Sequence, residues 1–440
     1  MFNIFKPKIN LNICAHDGIT SLYTGVGRIA YDSVRVLCRK NILGIPYRVN
    51  VITGKYNNNC LGFQENIRED TRESVRRTGG DLYECFNYSN GDVSYGNIKN
   101  WQAVSVSAAT ILKSISELYP QSVNINICLD TPFAQVPNIM LQMGKNMSKH
   151  RTIWIPHSTV KIHKVDSAIQ EERDYYNIRA GWEQEVIDLA SKNKYVYIGY
   201  VGEFMKKHLI KEYSANISKL LDFTNGLDLK NPRFTRRYQE KEVIDILNIY
   251  RIPLDKPLIV SFGRLEDYKG FEYTIKVGGM LEKKGVQTVL IAQPYHQADP
   301  IISEYKNLFR KYNPHGIFIS EYPFDLPHKI LQWKNTKILL VPSVAEPFGL
   351  VPEEGRLYRR KQLAIVTSKT DGFLEQIDDG VDGFMLNFDD LKLAADRLIK
   401  ILDLPPSEIE MINQKGYLRA ISKYDLEKNI SSSIKNFISI

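Results

Sequence analysis

Short aliphatic runs, each too short for a helix, recur along the chain and alternate with longer amphipathic stretches. In the first half Ile9–Ala15, Tyr47–Thr53, a run near Asp81–Tyr88, Val123–Leu129, Arg151–Pro156 and Lys194–Tyr200 read as strands. Leu258–Phe262, Thr288–Ala292, Gly316–Ser320, Ile338–Pro342 and Leu363–Ser368 repeat the pattern in the second half. Helical periodicity fills the intervals, over Arg28–Lys40, Val104–Tyr119, Glu183–Ser191, a stretch from Glu203, and finally Tyr424–Ile440. Strand and helix alternating through short connections predict an α/β chain with parallel, doubly wound sheets. In such sheets ligands bind outside the carboxyl ends of the strands, so the residues that follow each strand are where chemistry is sought.

Six of these strand ends carry candidate chemistry. After Ile338–Pro342 the chain reads SVAEPFGLVPEEGRLYRRK, a Gly/Pro loop followed by a predicted helix over Leu350–Arg360 with Pro352 in its first turn. The amides of Phe348, Gly349 and Leu350 would face an anion there. Glu346 and Glu354 flank them with seven residues between. Carboxylates repel phosphate, so the pair fits neutral hydroxyls at the two ends of a diphosphate better than the diphosphate itself; two solvated glutamates on a surface helix have the same spacing. After Leu258–Phe262 comes Gly263-Arg264-Leu265-Glu266-Asp267-Tyr268-Lys269-Gly270. Its Arg offers a planar fork and its Lys a point charge to a diphosphate, unless both are ordinary exposed loop cations. Arg151–Pro156 delivers His157, which could hydrogen-bond hydroxyls near neutral pH or be a satisfied loop histidine. Ile9–Ala15 ends in His16-Asp17-Gly18 and leads to Gly25 and Gly27, read as a turn before the helix Arg28–Lys40; it permits close backbone approach to a phosphate or sugar, as would a structural β–α turn. The loop Glu321–Asp325 could hold a nucleotide base through Tyr322 or Phe324. Asp17 and Asp130, at the ends of Ile9–Ala15 and Val123–Leu129, are the acceptor-side candidates.

The second half resembles the retaining, nucleotide-sugar-dependent glycosyltransferases of family 4, also called glycosyl transferases group 1. The resemblance rests on S-x-x-E-P-F-G-L-x-x-x-E at Ser343–Glu354 and on G-R-L-x-x-x-K-G at Gly263–Gly270. Weaker points are Asp379–Leu386, Asn225-Gly226 in FTNGLDLKNPRF, and Thr370–Glu375, where Asp371 stands in place of the first glycine of a G-G-x-x-E turn. Thr24 likewise replaces the first glycine of the family's G-G-x-G loop. The resemblance implies a GT-B fold, two Rossmann-like domains facing across a cleft. Residues 1–238 would hold the acceptor and 239–420 the nucleotide sugar, with a helix over 421–440 crossing back to the first domain. It further implies that Arg264 and Lys269 take the diphosphate, that Glu346 orients the donor sugar, that Glu354 binds the ribose and that His157 contacts the sugar near the reacting carbon. The implied co-substrate is a nucleoside diphosphate sugar, UDP before GDP, and the implied acceptor a hydroxyl of a glycan, lipid-linked sugar or small molecule in bacterial glycan or glycoconjugate synthesis. No metal is expected, because the chain contains no Asp-x-Asp. A sugar-nucleotide epimerase, a glycoside phosphorylase or sucrose-synthase-like enzyme, and a non-catalytic nucleotide- or glycan-binding protein remain compatible with the same fold.

Composition changes this picture little. The 440 residues are 43% hydrophobic and 25% charged, an ordinary globular balance that suits two or three domains. No apolar run reaches membrane-spanning length, and the N-terminal stretch carries charge within its apolar part and lacks a cleavage site, so a cytoplasmic protein is expected. Five cysteines at irregular spacing point to free thiols. The net charge of +8 sits almost entirely in residues 1–238, which suits peripheral contact with a membrane face, an anionic acceptor, or simply solvated helices. No basic run is interleaved with aromatics, so nucleic acid is not an expected partner.

Overall fold

Each of these runs becomes a strand, most of them buried and Leu82–Cys85 and Ile317–Ile319 partly so, and the amphipathic stretches become helices. The computed structural model describes residues 8–19, 24–39, 42–56, 63–86, 98–144, 147–163, 170–294, 299–321, 325–358 and 362–440. The chain divides into two compact units: Met1–Asp228 with Leu426–Ile440, and Leu229–Asp425.

In the first unit β1 (Ile9–Ala15), β2 (Tyr47–Gly54), β3 (Leu82–Cys85), β4 (Val123–Leu129), β5 (His150–Ile155), β6 (Val196–Tyr200) and β7 (Leu220–Asp222) form one sheet. Its order is β3-β2-β1-β4-β5-β6-β7, and each pairing is parallel. The order reverses between β1 and β4, which makes their carboxyl ends the switch point of the sheet. In β1, Ile9, Leu11 and Ile13 alternate with Asn10, Asn12 and Cys14, all buried. Asn12 pairs in register with Asn50 on one side and Asn126 on the other. In-register parallel strands set like side chains side by side, so Asn50 Nδ2 donates to Asn12 Oδ1 at 2.8 Å, Asn12 Nδ2 to Asn126 Oδ1 at 2.9 Å and Asn126 Nδ2 to Thr152 Oγ1 at 3.0 Å. These buried amides satisfy one another, and a one-residue slip of any strand would break the line.

The helix after β1 begins earlier than its sequence suggests. It spans Gly25–Arg39, so Gly25 and Gly27 lie in its first turn and not in a preceding loop. Thr24 explains the difference: its Oγ1 accepts from the Gly27 amide at 2.9 Å and donates to Asp17 Oδ2 at 2.5 Å, while its own amide reaches the same oxygen at 2.8 Å. The last helix, Leu426–Ser439, belongs to this unit, tied by the Leu426 amide to the Leu227 carbonyl at 3.1 Å and by Phe437 packed edge-on against Tyr197.

In the second unit β8 (Leu258–Arg264), β9 (Gln287–Gln293), β10 (Ile317–Ile319), β11 (Thr336–Val341), β12 (Ala364–Ser368) and β13 (Phe384–Leu386) follow the order β10-β9-β8-β11-β12-β13, again parallel. The switch point lies between β8 and β11, the two strands whose following loops carry the second unit's motifs. One core cluster packs Ile259, Ile338, Leu340 and Val366 against Val277, Leu281 and Leu398; a second joins Leu265, Phe271 and Leu290 to Tyr305 and Phe309. Among the described residues no helix is long and apolar enough to cross a membrane. Cys14, Cys38, Cys85 and Cys128 are free thiols; Cys60 lies outside the described residues.

Candidate active site

The loops after β8 and β11 are fastened to each other before any ligand is considered. A short turn, Asp267–Lys269, follows β8 and ends at Gly270, whose φ of 62° lies in the left-handed region. A Cβ there would stand 2.2 Å from the Pro342 carbonyl oxygen, so only glycine lets the two loops approach this closely. The Val344 amide donates to the Tyr268 carbonyl at 2.8 Å. Across this seam Lys269 Nζ lies 2.5 Å from Glu346 Oε2, with both side chains less than one-fifth exposed. Arg264 reaches Glu266 Oε1 at 2.6 Å and the Tyr268 hydroxyl. The structure therefore brings Arg264, Lys269 and Glu346 together at one switch point, with both cations already answered by carboxylates of the same unit.

The Pro347–Leu350 turn has its carbonyls drawn inward. The buried Gln376 donates Nε2 to the Phe348 carbonyl and to the Gly349 carbonyl at 3.2 Å. Gly349 has φ 77°, and a Cβ there would meet Phe373 at 2.5 Å. Phe348 itself packs edge-on against Tyr424. The Glu346 amide donates to Asp371 Oδ2 at 2.9 Å, and the Gly372 amide to the Glu346 carbonyl at 3.0 Å. Asp371 sits at φ 40°, a conformation that Gly or Asp adopts more readily than other residues, and so fills a glycine position while supplying a carboxylate to the turn. Burial pushes its carboxyl above the usual range, opposed by the Glu346 N–H bond and assisted by the Glu346 charge.

The helix after this turn is shorter than its sequence suggests, Val351–Leu357, with residues 359–361 outside the described set. Glu354 on it is buried, with Arg233 Nη2 3.6 Å from its Oε2, and Arg233 Nε donates to His328 Nε2. Its neighbour Glu353 is fully buried and ion-paired with Arg356 at 2.8 Å; Arg356 continues to Asp382 Oδ1 at 3.1 Å and to the Gln376 carbonyl at 3.1 Å. Arg233, Gln376 and Asp382 reach this helix from distant segments, so the sequence around it carries no local signal of them. Tyr322 and Phe324 lie outside the described residues. Among the described residues no group of three or more His, Cys, Asp and Glu side chains is arranged to hold a metal ion.

In the first unit His157 follows β5 and is buried, its Nδ1 without a hydrogen-bond partner. Burial pushes its imidazole down to about 4, against smaller upward contributions from the Ile155 backbone and Asn225, and burial does the same to His16. Both rings are neutral at pH 7. Asp130 has φ 66°, and its carboxyl is pushed up to about 6 by burial, with Arg179 opposing and Glu183 adding to the rise. Asp17 is occupied by Thr24, as described above. A histidine held neutral by the fold costs stability once the unfolded chain can be protonated. Stability from His157 is therefore intact above its unfolded pKa near 6.5 and is lost as pH falls toward 4. By pH 5 this loss should reach about 2 kcal/mol. Denaturant titrations at pH 7 and pH 5 should accordingly show a smaller acid-side loss, by about that amount, in His157→Gln than in the parent; equal losses would contradict a neutral buried ring.

Known proteins resemble this chain in sequence and in fold. Residues 243–418 match the family described as Glycosyl transferases group 1. The capsular polysaccharide biosynthesis glycosyltransferase CapM of Staphylococcus aureus is 23% identical over 228 residues, 51% of this chain and 56% of CapM. This chain spans about half the length of the curated relatives it matches. Among solved structures, sucrose-phosphate synthase from Thermosynechococcus elongatus superposes with a TM-score of 0.74 at 15% identity, covering 98% of both chains. The Anabaena protein HepE in complex with UDP-glucose does so with a TM-score of 0.67 at 12% identity, over 98% of this chain and 100% of that one. At such identities the likeness establishes the fold, two parallel α/β sheets in the GT-B arrangement of elements. The matched residues contain the loops after β8 and β11 in full, and it is over this second unit that the chain is similar to the glycosyl transferases group 1 family.

Proposed function

We propose that this protein is a retaining glycosyltransferase that moves a sugar from a nucleoside diphosphate sugar to a hydroxyl acceptor, with UDP as the favoured nucleotide. The observation that carries the reading is the Lys269–Glu346 pair at the switch point between β8 and β11, with Arg264 beside it on the same loop. A diphosphate arriving there exchanges one anion for another. Lys269 and Arg264 turn from Glu346 and Glu266 to phosphate oxygens, and the Glu346 carboxylate is released to accept hydrogen bonds from the sugar's hydroxyls. Inward-drawn carbonyls at Phe348 and Gly349 support the same reading, since they leave the amides of that turn for the ligand. Glu354, set by Arg233, is the proposed ribose contact, and neutral His157 a hydrogen-bonding group for substrate hydroxyls. In the reaction the acceptor oxygen forms a bond to the anomeric carbon on the face that the leaving diphosphate vacates. The carbon–oxygen bond to phosphate breaks, its electron pair stays with the diphosphate, and the acceptor's proton passes to a diphosphate oxygen. Arg264 and Lys269 stabilise the charge that develops there, so the proposed chemistry routes no step through a metal.

The favoured place of this reaction is bacterial glycan or glycoconjugate synthesis, supported by the likeness to CapM, and UDP is favoured by the ligand of the HepE structure. A thermal-shift series with UDP-, GDP- and ADP-sugars tests the reading. Ligand at a hundred times its Kd should stabilise the fold by about 2.7 kcal/mol, and the base that does so identifies the donor. Unchanged melting with all three would overturn the proposal.

A further inference from the structure

The carboxyl edge of the first sheet carries a second cluster that the donor site does not use. Trp101, near the start of the helix Ile98–Leu118, lies with its ring centroid 6.2 Å from His16 and 5.9 Å from Tyr175. The Arg179 guanidinium stands 5.4 Å from the centroids of both Trp101 and Tyr175. Arg179 Nη2 donates to Thr131 Oγ1 at 3.1 Å and lies 3.6 Å from Glu183 Oε1. Asp130 faces Arg179, whose charge opposes the rise that burial imposes on its carboxyl. One connected group thus joins the ends of β1, β4 and β5 to two helices.

Four polar atoms in this group have no hydrogen-bond partner: Trp101 Nε1, Asp130 Oδ1, His157 Nδ1 and Arg179 Nε. Trp101 is 4% exposed and His157 9%, so solvent does not readily serve them. Buried donors and acceptors without partners are rare in native proteins and call for a ligand that supplies the missing bonds. They ask for both kinds of bond, because an indole N–H only donates and a carboxylate only accepts. A sugar hydroxyl does both, and the C–H face of a pyranose packs on aromatic rings such as those of Trp101 and Tyr175.

Charge then selects among sugars. Arg179, the cation of this cluster among the described residues, already faces the carboxylates of Glu183 and Asp130, stands against the two rings and gives Nη2 to Thr131, which leaves Nε as one further donor. A phosphate or carboxylate entering here would meet more negative charge than positive. We propose that the Trp101–Asp130–Arg179 cluster is a subsite for the acceptor and takes an uncharged sugar, discriminating against a phosphorylated one. The word acceptor rests on the transferase reading above, whereas the preference for neutral sugar rests on this cluster alone.

Saturation-transfer NMR on the full chain separates the two. Glucose, galactose and N-acetylglucosamine are compared with glucose 6-phosphate, each with and without UDP. At least one neutral sugar should receive saturation, and glucose 6-phosphate at the same concentration roughly tenfold less. Trp101→Phe keeps the ring and loses the N–H, and Asp130→Asn removes the charge; each should weaken neutral-sugar binding about tenfold while UDP-induced stabilisation stays as in the parent. Should Asp130→Asn fail to fold, Trp101→Phe decides alone. Tighter binding of the 6-phosphate, no transfer to any sugar, or binding unchanged in Trp101→Phe would overturn the subsite. Loss of the UDP response in the parent protein would overturn the donor reading and leave the neutral-sugar result to stand or fall by itself.

Discussion

Replacing Glu346 by Ala should lower UDP release from the UDP-sugar about a hundredfold or more while leaving affinity for UDP alone unchanged or higher. The asymmetry follows from the pairing with Lys269. Without ligand the carboxylate occupies the cation at 2.5 Å, so removing it frees Lys269 for the diphosphate. What is lost is the group that orients the sugar, an effect worth about 2.7 kcal/mol in the barrier for a hundredfold change. Lys269→Ala and Arg264→Ala should act the other way, weakening UDP binding as well as turnover, because each removes a positive charge from the developing diphosphate. Titration calorimetry with UDP beside a coupled assay of UDP release distinguishes the patterns. Near-normal turnover in Glu346→Ala or Arg264→Ala would sink the assignment, and a parallel loss of UDP affinity in Glu346→Ala would mean that the carboxylate serves the loop and not the sugar.

Why these residues were readable before the fold was known is a matter of chain locality. Arg264 and Lys269 share one turn, and Glu346 stands in a Gly/Pro loop directly after a strand, so strand periodicity alone sends both loops to a carboxyl edge. That they meet there follows from the sheet order, in which β11 pairs with β8. The sequence also carried the two departures at Thr24 and Asp371, but not what they do. Thr24 caps a helix and takes up Asp17, and Asp371 accepts from the Glu346 amide, because hydroxyl and carboxylate groups can replace the backbone freedom of glycine with a hydrogen bond. Three-dimensional partners were the illegible part. Glu354 reads as a surface residue of an acidic helix until Arg233 and His328 arrive from elsewhere in the same unit. The asparagines of β1, β2 and β4 stand among apolar residues of those strands, and only strand register makes them a satisfied line.

Arg356→Met should be among the most destabilising single changes in the second unit, costing about 3–5 kcal/mol. The guanidinium is 1% exposed and answers the fully buried Glu353, Asp382 and the carbonyls of Gln376 and Asp382. Methionine fills much of the volume but leaves Glu353 buried without a cation, and that uncompensated carboxylate is the larger part of the cost. Asp382 suffers less, since Arg419 also holds it. For a unit of this size the loss corresponds to a fall in melting temperature of about 10 °C. pH provides the sharper check. Burial raises the Glu353 carboxyl to about 7 despite Arg356, so its folded form binds a proton more tightly than its unfolded form. The associated stability is complete below about 4.5 and is lost as pH rises through about 7. Without Arg356 the folded value rises further, and the loss continues to higher pH. The deficit of Arg356→Met relative to the parent should therefore be smaller at pH 6 than at pH 8, and it should shrink in the double variant Glu353→Gln/Arg356→Met, where no charge is stranded. A pH-independent deficit would assign the effect to packing. Through the Gln376 carbonyl the same guanidinium also braces the residue that holds the Phe348 and Gly349 carbonyls, so variants that remain folded should bind UDP more weakly than the parent in proportion to how far that brace has loosened.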